Sequence, residues 1–151
     1  MKGFTLIEAV IYFALTSAII IGILASSYPL FTNTERLSKS VHRDLESAFV
    51  FQKVAYLMNQ ATAISEPASG ASGNTLRLTV NGSSYQMTLD SSAVVLSVNG
   101  GTPVPLTSSR VEITGLTFTR TAGVGGTPDT LTVEFSANGV AEGPYTRYVR
   151  F

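Results

Sequence analysis

Apolar side chains fall along this chain in three rhythms. From Ala9 to Thr34 no residue is charged, and Val10-Ile11-Tyr12-Phe13-Ala14-Leu15, followed by Ala18-Ile19-Ile20-Ile21-Gly22-Ile23-Leu24, is apolar on every side of a helix. Such a helix suits lipid or a helix bundle and not a water-facing surface, and the run exceeds the roughly 20 residues needed to cross a hydrocarbon core. Beyond Pro29 the spacing changes. Leu37, Val41, Leu45, Ala48, Phe49, Gln52 and Tyr56 recur at steps of three and four, with a second row of Val50, Val54, Leu57 and Met58 beside it. That pattern predicts an amphipathic helix that gains a buried face in its later half. Thr34 before Glu35 offers a local cap if the helix restarts after Pro29.

Residues 65–74, rich in Ser, Gly and Pro, read as a loop. After them the period drops to two, and the alternation predicts strands at Leu76 to Val80, Ser84 to Asp90, Ala93 to Val98, Val111 to Arg120, Thr130 to Ala137 and Tyr145 to Phe151. Asn81-Gly82 predicts a tight hairpin, because both residues tolerate positive φ. Asn99-Gly100-Gly101 and Asn138-Gly139 mark further turns. Leu76, Leu78 and Val80, then Tyr85, Met87 and Leu89, then Leu131, Val133 and Phe135 each form one apolar row. An antiparallel sheet with one packed and one wet face follows, and the second half of the long helix is its natural cover.

The fold expected is therefore α+β. A long N-terminal helix has an apolar half over 4–31 and an amphipathic half over 32–64, the latter packed on an antiparallel sheet formed from 65–151. Unbroken from Phe4 to about Ala61, the helix would run roughly 87 Å at about 1.5 Å per residue. The remaining residues cannot bury that length, so the first half is expected to project. Pro29 removes a backbone donor and Gly22 is a soft point, so a break is expected at Gly22 or Pro29.

Charge and composition narrow the chemistry. The ten basic and ten acidic residues cancel, and no Lys/Arg cluster is present to neutralise a phosphate backbone, so nucleic acid is not an expected direct partner. The absence of cysteine excludes disulfides, thiolate metal sites and a Cys nucleophile. His42, the single histidine, sits among polar residues and reads as an exposed side chain. Glu35, Arg36, Lys39, Arg43, Asp44, Glu46 and Lys53 read as a solvated helix face. The acids Glu66, Asp90, Glu112, Asp129, Glu134 and Glu142 are scattered singly, with no spacing of a metal cage, phosphate loop or nucleophile elbow. Residues 121–127 are glycine-rich but lack a phosphate-binding lysine and read as a flexible loop. Asp129, Glu134 and Glu142 are the weak candidates for a calcium site, without the dense Asp/Asn run calcium needs. No catalytic, cofactor or metal residue is expected.

One carboxylate stands out. Glu8 lies at the start of the apolar run, where an ionised acid at the centre of a spanning helix would cost about 2.5 to 3.5 kcal/mol and is by default a sign of function. A cleavable secretory signal fits poorly, since the run is too long and a cut after Ala25 would place the bulky Ile23 at the outer recognition position. A plain signal anchor accounts for the length but leaves Glu8 unexplained.

The stretch Gly3-Phe4-Thr5-Leu6-Ile7-Glu8 followed by the apolar run resembles the type IV prepilin N-terminus, shared by pilins and the pseudopilins of type II secretion and competence systems. The resemblance implies a leader peptide over 1–3, cleavage between Gly3 and Phe4 by a membrane prepilin peptidase, and methylation of the new amino group of Phe4 by the same enzyme. It further implies that Glu8 faces the Phe4 ammonium of a neighbouring subunit and sets the register of assembly. A buried pair adds little net stability, but one partner left alone costs about 3 to 5 kcal/mol, which makes such a pair a ruler. The implied fold is the same helix on an antiparallel sheet. The sheet region is similar to minor pilins and J-type pseudopilins more than to abundant major pilins. Met1-Lys2-Gly3 is shorter than the usual leader, Pro29 lies later than the family's helix proline, and the cysteine pair of many Gram-negative pilins is missing.

Function expected on that resemblance is structural: a non-enzymatic subunit of a pilus, secretion or competence filament. The implied setting is the bacterial inner membrane, single-pass, with an extracytoplasmic C-terminal domain. The implied partners are other pilin or pseudopilin subunits, the prepilin peptidase/methyltransferase, the assembly platform and membrane lipid. The competing expectation is a membrane-anchored, β-rich binding module that never polymerises.

Overall fold

The computed structural model describes residues 5–149, with the side chains of residues 29–36 outside the description. Gly3 and Phe4 lie outside the described residues. One helix, α1 (Leu6–Gln60), is followed by nine strands: β1 (Ala61–Glu66), β2 (Ser72–Gly73), β3 (Thr75–Val80), β4 (Ser83–Asp90), β5 (Ala93–Val98), β6 (Val104–Pro105), β7 (Ile113–Thr121), β8 (Thr130–Ala137) and β9 (Val140–Tyr148). The α+β class expected from the sequence is the class observed. The chain divides into two compact units, Met1–Ser40 and Val41–Phe151.

The first unit is helix. The Thr5 carbonyl accepts from the N–H of Glu8 at 3.1 Å and of Ala9 at 3.2 Å, placing Thr5 where the cap belongs. The expected break at Gly22 or Pro29 is not there: α1 passes through both residues as helix. Pro29 forfeits one i→i−4 donor and Gly22 about 1 kcal/mol of propensity relative to alanine. The bonds on either side carry the helix across both.

In the second unit the helix contributes Val50, Val54, Leu57 and Met58 to the core, all essentially buried. Its end differs from expectation. Helix gives way to strand directly at Ala61, where β-branched Thr62 and Ile64 belong to an extended segment pairing with β3 through Ala61↔Val80 and Ile64↔Leu78. Two antiparallel sheets form where one was expected, in the orders β1-β3-β4-β5-β6 and β2-β7-β8-β9. Leu76, Leu78, Val80, Met87 and Val94 of the first sheet share a core with Ile113, Phe118, Leu131, Val133 and Phe135 of the second.

The turns explain the meander. Asn81 and Gly82 carry φ of 48° and 79°, Asn138 and Gly139 of 51° and 76°, which are the left-handed pairs that match strand twist in a two-residue hairpin. The turn between β4 and β5 has the same form on serines, Ser91 at 47° and Ser92 at 68°. The last strand begins earlier than expected, at Val140, because an irregularity between Val133 and Phe135 absorbs Gly143-Pro144 and lets pairing resume beyond it. At Gly143, φ is 102° and an added Cβ would lie 2.8 Å from the Val133 carbonyl oxygen.

Candidate functional site

The residues with a functional expectation concentrate at the start of α1. Among the described residues one helical segment, Leu6–Tyr28, is long and apolar enough to cross a membrane, with mean hydropathy 2.2 and none of it buried. Leu6, Phe13 and Ile21 are 86%, 78% and 66% exposed.

Polar side chains in the segment are handled locally. Thr16 Oγ1 donates to the Tyr12 carbonyl at 2.8 Å, Ser17 Oγ to Phe13 at 2.8 Å, Ser26 Oγ to Gly22 at 2.9 Å and Ser27 Oγ to Ile23 at 2.8 Å. Each hydroxyl thus bonds to its own helix one turn back, as an environment without water requires.

Glu8 is the exception. It sits in the first turn, where the helix dipole favours an acid, and Thr5-Leu6-Ile7-Glu8 has the spacing of a capping box. The reciprocal side-chain bonds of that box are not made. Among the described residues the Glu8 carboxylate has no hydrogen-bond or ion-pair partner, and the residue is partly exposed. Local capping therefore does not consume the carboxylate.

The later half of α1 presents two apolar faces. At about 100° per residue the row Val41, Leu45, Phe49 and Tyr56 lies roughly 160° around the helix from Val50, Val54, Leu57 and Met58. The sheets cover only the latter. Val41, Leu45, Phe49 and Tyr56 are 46%, 63%, 48% and 53% exposed, so the first row read from the sequence faces outward and the second makes the core. Between the faces, Phe51 packs its ring 5.1 Å from those of Phe135 and Tyr145.

Several charges expected to be solvated instead fasten the helix to the strands. Arg43 Nε lies 3.1 Å from Glu142 Oε1 on β9 and its Nη2 2.8 Å from Asp44 Oδ1. Both carboxylate oxygens of Glu46 accept from Ser108, from its backbone N–H at 3.0 Å and from its hydroxyl. His42 is partly buried.

Three of the scattered acids are paired with arginines. Glu66 pairs with Arg77 at 3.2 Å, Glu142 with Arg43, and Asp129 with Arg120 at 2.8 Å. No group of three His, Asp or Glu converges among the described residues, and of the weak calcium candidates Asp129 and Glu142 are each held by an arginine. Asp129 is instead the centre of the glycine-rich segment. Its Oδ1 accepts from the Gly123 N–H at 3.0 Å, and Val124 and Thr127 close the loop on each other. The Gly123 N–H, then the Ser69 hydroxyl and Arg120, hold its carboxyl below the ordinary value. The segment that reads as flexible in the sequence is pinned, a role that a lone Asp before a strand does not announce.

Comparison with protein-family profiles, characterised proteins and solved structures finds no match to this chain.

Proposed function

We propose that the chain is a structural subunit of a type IV pilin-like filament, a pilus, type II secretion or competence assembly, held in the inner membrane by Leu6–Tyr28 until it is polymerised. The observation that carries this reading is an acid without a partner among the described residues, Glu8, at the head of an exposed apolar helix whose described hydroxyls outside the tyrosines are satisfied internally. A lipid anchor needs no such acid, whereas a helix that must find one register among its neighbours does.

On this reading prepilin peptidase cuts between Gly3 and Phe4 and methylates Phe4. The Phe4 ammonium of an adjacent pilin subunit then meets Glu8. Heterologous, non-closing contacts generate filaments, and Leu6–Tyr28 supplies the apolar surface for them. The subunit performs no chemistry of its own; the peptidase and the membrane assembly platform act on it.

Mass spectrometry of the N-terminus of protein from its native membrane tests the reading. Methylated Phe4 is expected, and an intact Met1 would favour an anchored module that does not polymerise. In the same cells Glu8→Ala is expected to be cut normally and to enter filaments poorly. Normal incorporation of that variant would remove the register role.

A further inference from the structure

β9 is the last strand of its sheet and pairs only with β8. It is the one long free edge among the described strands: β2 and β6 are two residues each, and β1 is broken by two register shifts. The phase of its hydrogen bonds can be read. Thr130↔Tyr148 and Thr132↔Thr146 are cross-strand partners, so Asp129 stands opposite Val149, and Val149 N–H donates to the Asp129 carbonyl at 2.7 Å. Hydrogen-bonded and non-hydrogen-bonded pairs alternate in an antiparallel ladder. Arg147 and Tyr145 therefore bond inward to β8, while Thr146 and Tyr148 turn their N–H and C=O outward. The close approach of Thr132 Oγ1 and Thr146 Oγ1, 3.0 Å, agrees with the narrower non-hydrogen-bonded pair.

A groove of about 670 Å³ runs along this edge, walled by Met58 and Asn59 of the last helical turn and by Tyr145 to Tyr148. Pro144, which has no N–H, closes the usable edge at one end. Arg147 lies in the groove with no acidic partner among the described residues; its Nε donates to the Tyr145 hydroxyl at 2.7 Å.

A second copy of β9 fits badly here. Pairing Thr146 with Tyr148 of the copy sets Arg147 against Arg147, and like charges directly opposite are destabilising. Pairing Thr146 with Thr146 sets Tyr148 against Pro144, where a donor is missing. The charge selects a different partner.

We propose that the outer edge of β9 at Thr146 to Tyr148 accepts an extended segment of another protein as an added antiparallel strand, with an acidic side chain opposite Arg147. The segment exchanges two hydrogen bonds with Thr146 and two with Tyr148. Its residue opposite Tyr145 is apolar and packs beneath Met58. This is strand addition to a sheet edge, in which the main chain supplies affinity and alternate side chains supply specificity. It does not depend on how the N-terminal helix is used.

The test uses the full chain in detergent micelles and an end-blocked Val-Thr-Glu-Thr-Val peptide, with a lysine counterpart. Amide hydrogen exchange is followed by NMR. The glutamate peptide is expected to slow exchange at Thr146 and Tyr148 and to bind about tenfold more tightly than the lysine peptide, with the preference reversed in Arg147→Glu. Thr146→Pro removes the outward N–H and the exposed hydroxyl contact with Thr132 but no backbone bond to β8, so it is expected to stay folded and lose the binding. Equal affinity for both peptides, no protection at Thr146 and Tyr148, or a preference unchanged by Arg147→Glu would overturn the proposal. Should Thr146→Pro fail to fold, the exchange protection at Thr146 and Tyr148 and the peptide preference of Arg147→Glu decide the proposal.

Discussion

Arg120 Nε lies 2.8 Å from Asp129 Oδ2, and Nη1 of the same guanidinium donates to the Ile64 carbonyl at 3.1 Å. One side chain thereby joins β7 and the residue leading into β8 to β1 of the other sheet. Asp129 is held below its ordinary pKa of 3.8, first by the Gly123 N–H, then by the Ser69 hydroxyl and Arg120. A lowered folded-state pKa gives stability that is present above the ordinary value and lost as pH falls through the lowered one. Asp129→Asn is expected to melt below the parent at neutral pH, with the gap closing under pH 3.8 as the parent's own carboxyl protonates. Thermal melts of both proteins across that range check it; a gap independent of pH would assign the loss to packing.

The two faces of the later helix predict opposite responses to substitution. Leu57→Ala, in the core, is expected to cost about 2 to 5 kcal/mol. Leu45→Gln, on the outward face, is expected to stay within about 0.5 kcal/mol of the parent. Urea unfolding of the two variants separates them, and a large loss at Leu45 would mean that face is covered.

Ser91 and Ser92 hold left-handed backbone that costs an L-residue about 1 to 2 kcal/mol. The turn must stay formed, because the Ser92 carbonyl accepts the Ile113 N–H at 2.9 Å at the start of β7. Ser91→Asn with Ser92→Gly would install the pair already used at Asn81-Gly82. The double variant is expected to gain about 1 kcal/mol, seen as a rise of several degrees in melting temperature.

Ser47 is 2% exposed, and its hydroxyl has no hydrogen-bond partner among the described residues. Unlike Thr16 or Ser26, it does not turn back to its own helix. Ser47→Ala relieves a desolvated donor without opening much space and is expected to stabilise by about 1 kcal/mol in a denaturant titration. A loss of stability would show that the hydroxyl is bonded in solution.

Much of this architecture is legible in the chain. Ala93 to Val98 and Thr130 to Ala137 have the bounds their alternation predicts, and Asn81-Gly82 forms its hairpin, since local preference and burial agree there. What was not legible depends on partners distant in sequence. Ala61 to Glu66 becomes a strand because β3 is present to pair with it, and Val140 to Pro144 joins β9 only through an irregularity that accommodates Gly143. Which of two apolar helix rows is buried is decided by the sheets and not by the helix. At the candidate site, Glu8 was visible as a charge in an apolar run. The pinning of residues 121–129 was not, because it arises where an acid, a glycine N–H and an arginine from β7 meet.

The back-bonded hydroxyls of Thr16, Ser17, Ser26 and Ser27 have a consequence for transport. A helix that carries its own acceptors exchanges no hydrogen bonds at those four positions when it moves from one apolar medium to another, so neither lipid nor a protein bundle gains preference from them. Glu8 is the only charged side chain in Leu6–Tyr28, and it has no such indifference. Were the segment passed from one apolar medium to another, as the proposed filament requires, it would travel as a neutral passenger with a single biased coordinate, drawn to whichever surroundings offer Glu8 a cation.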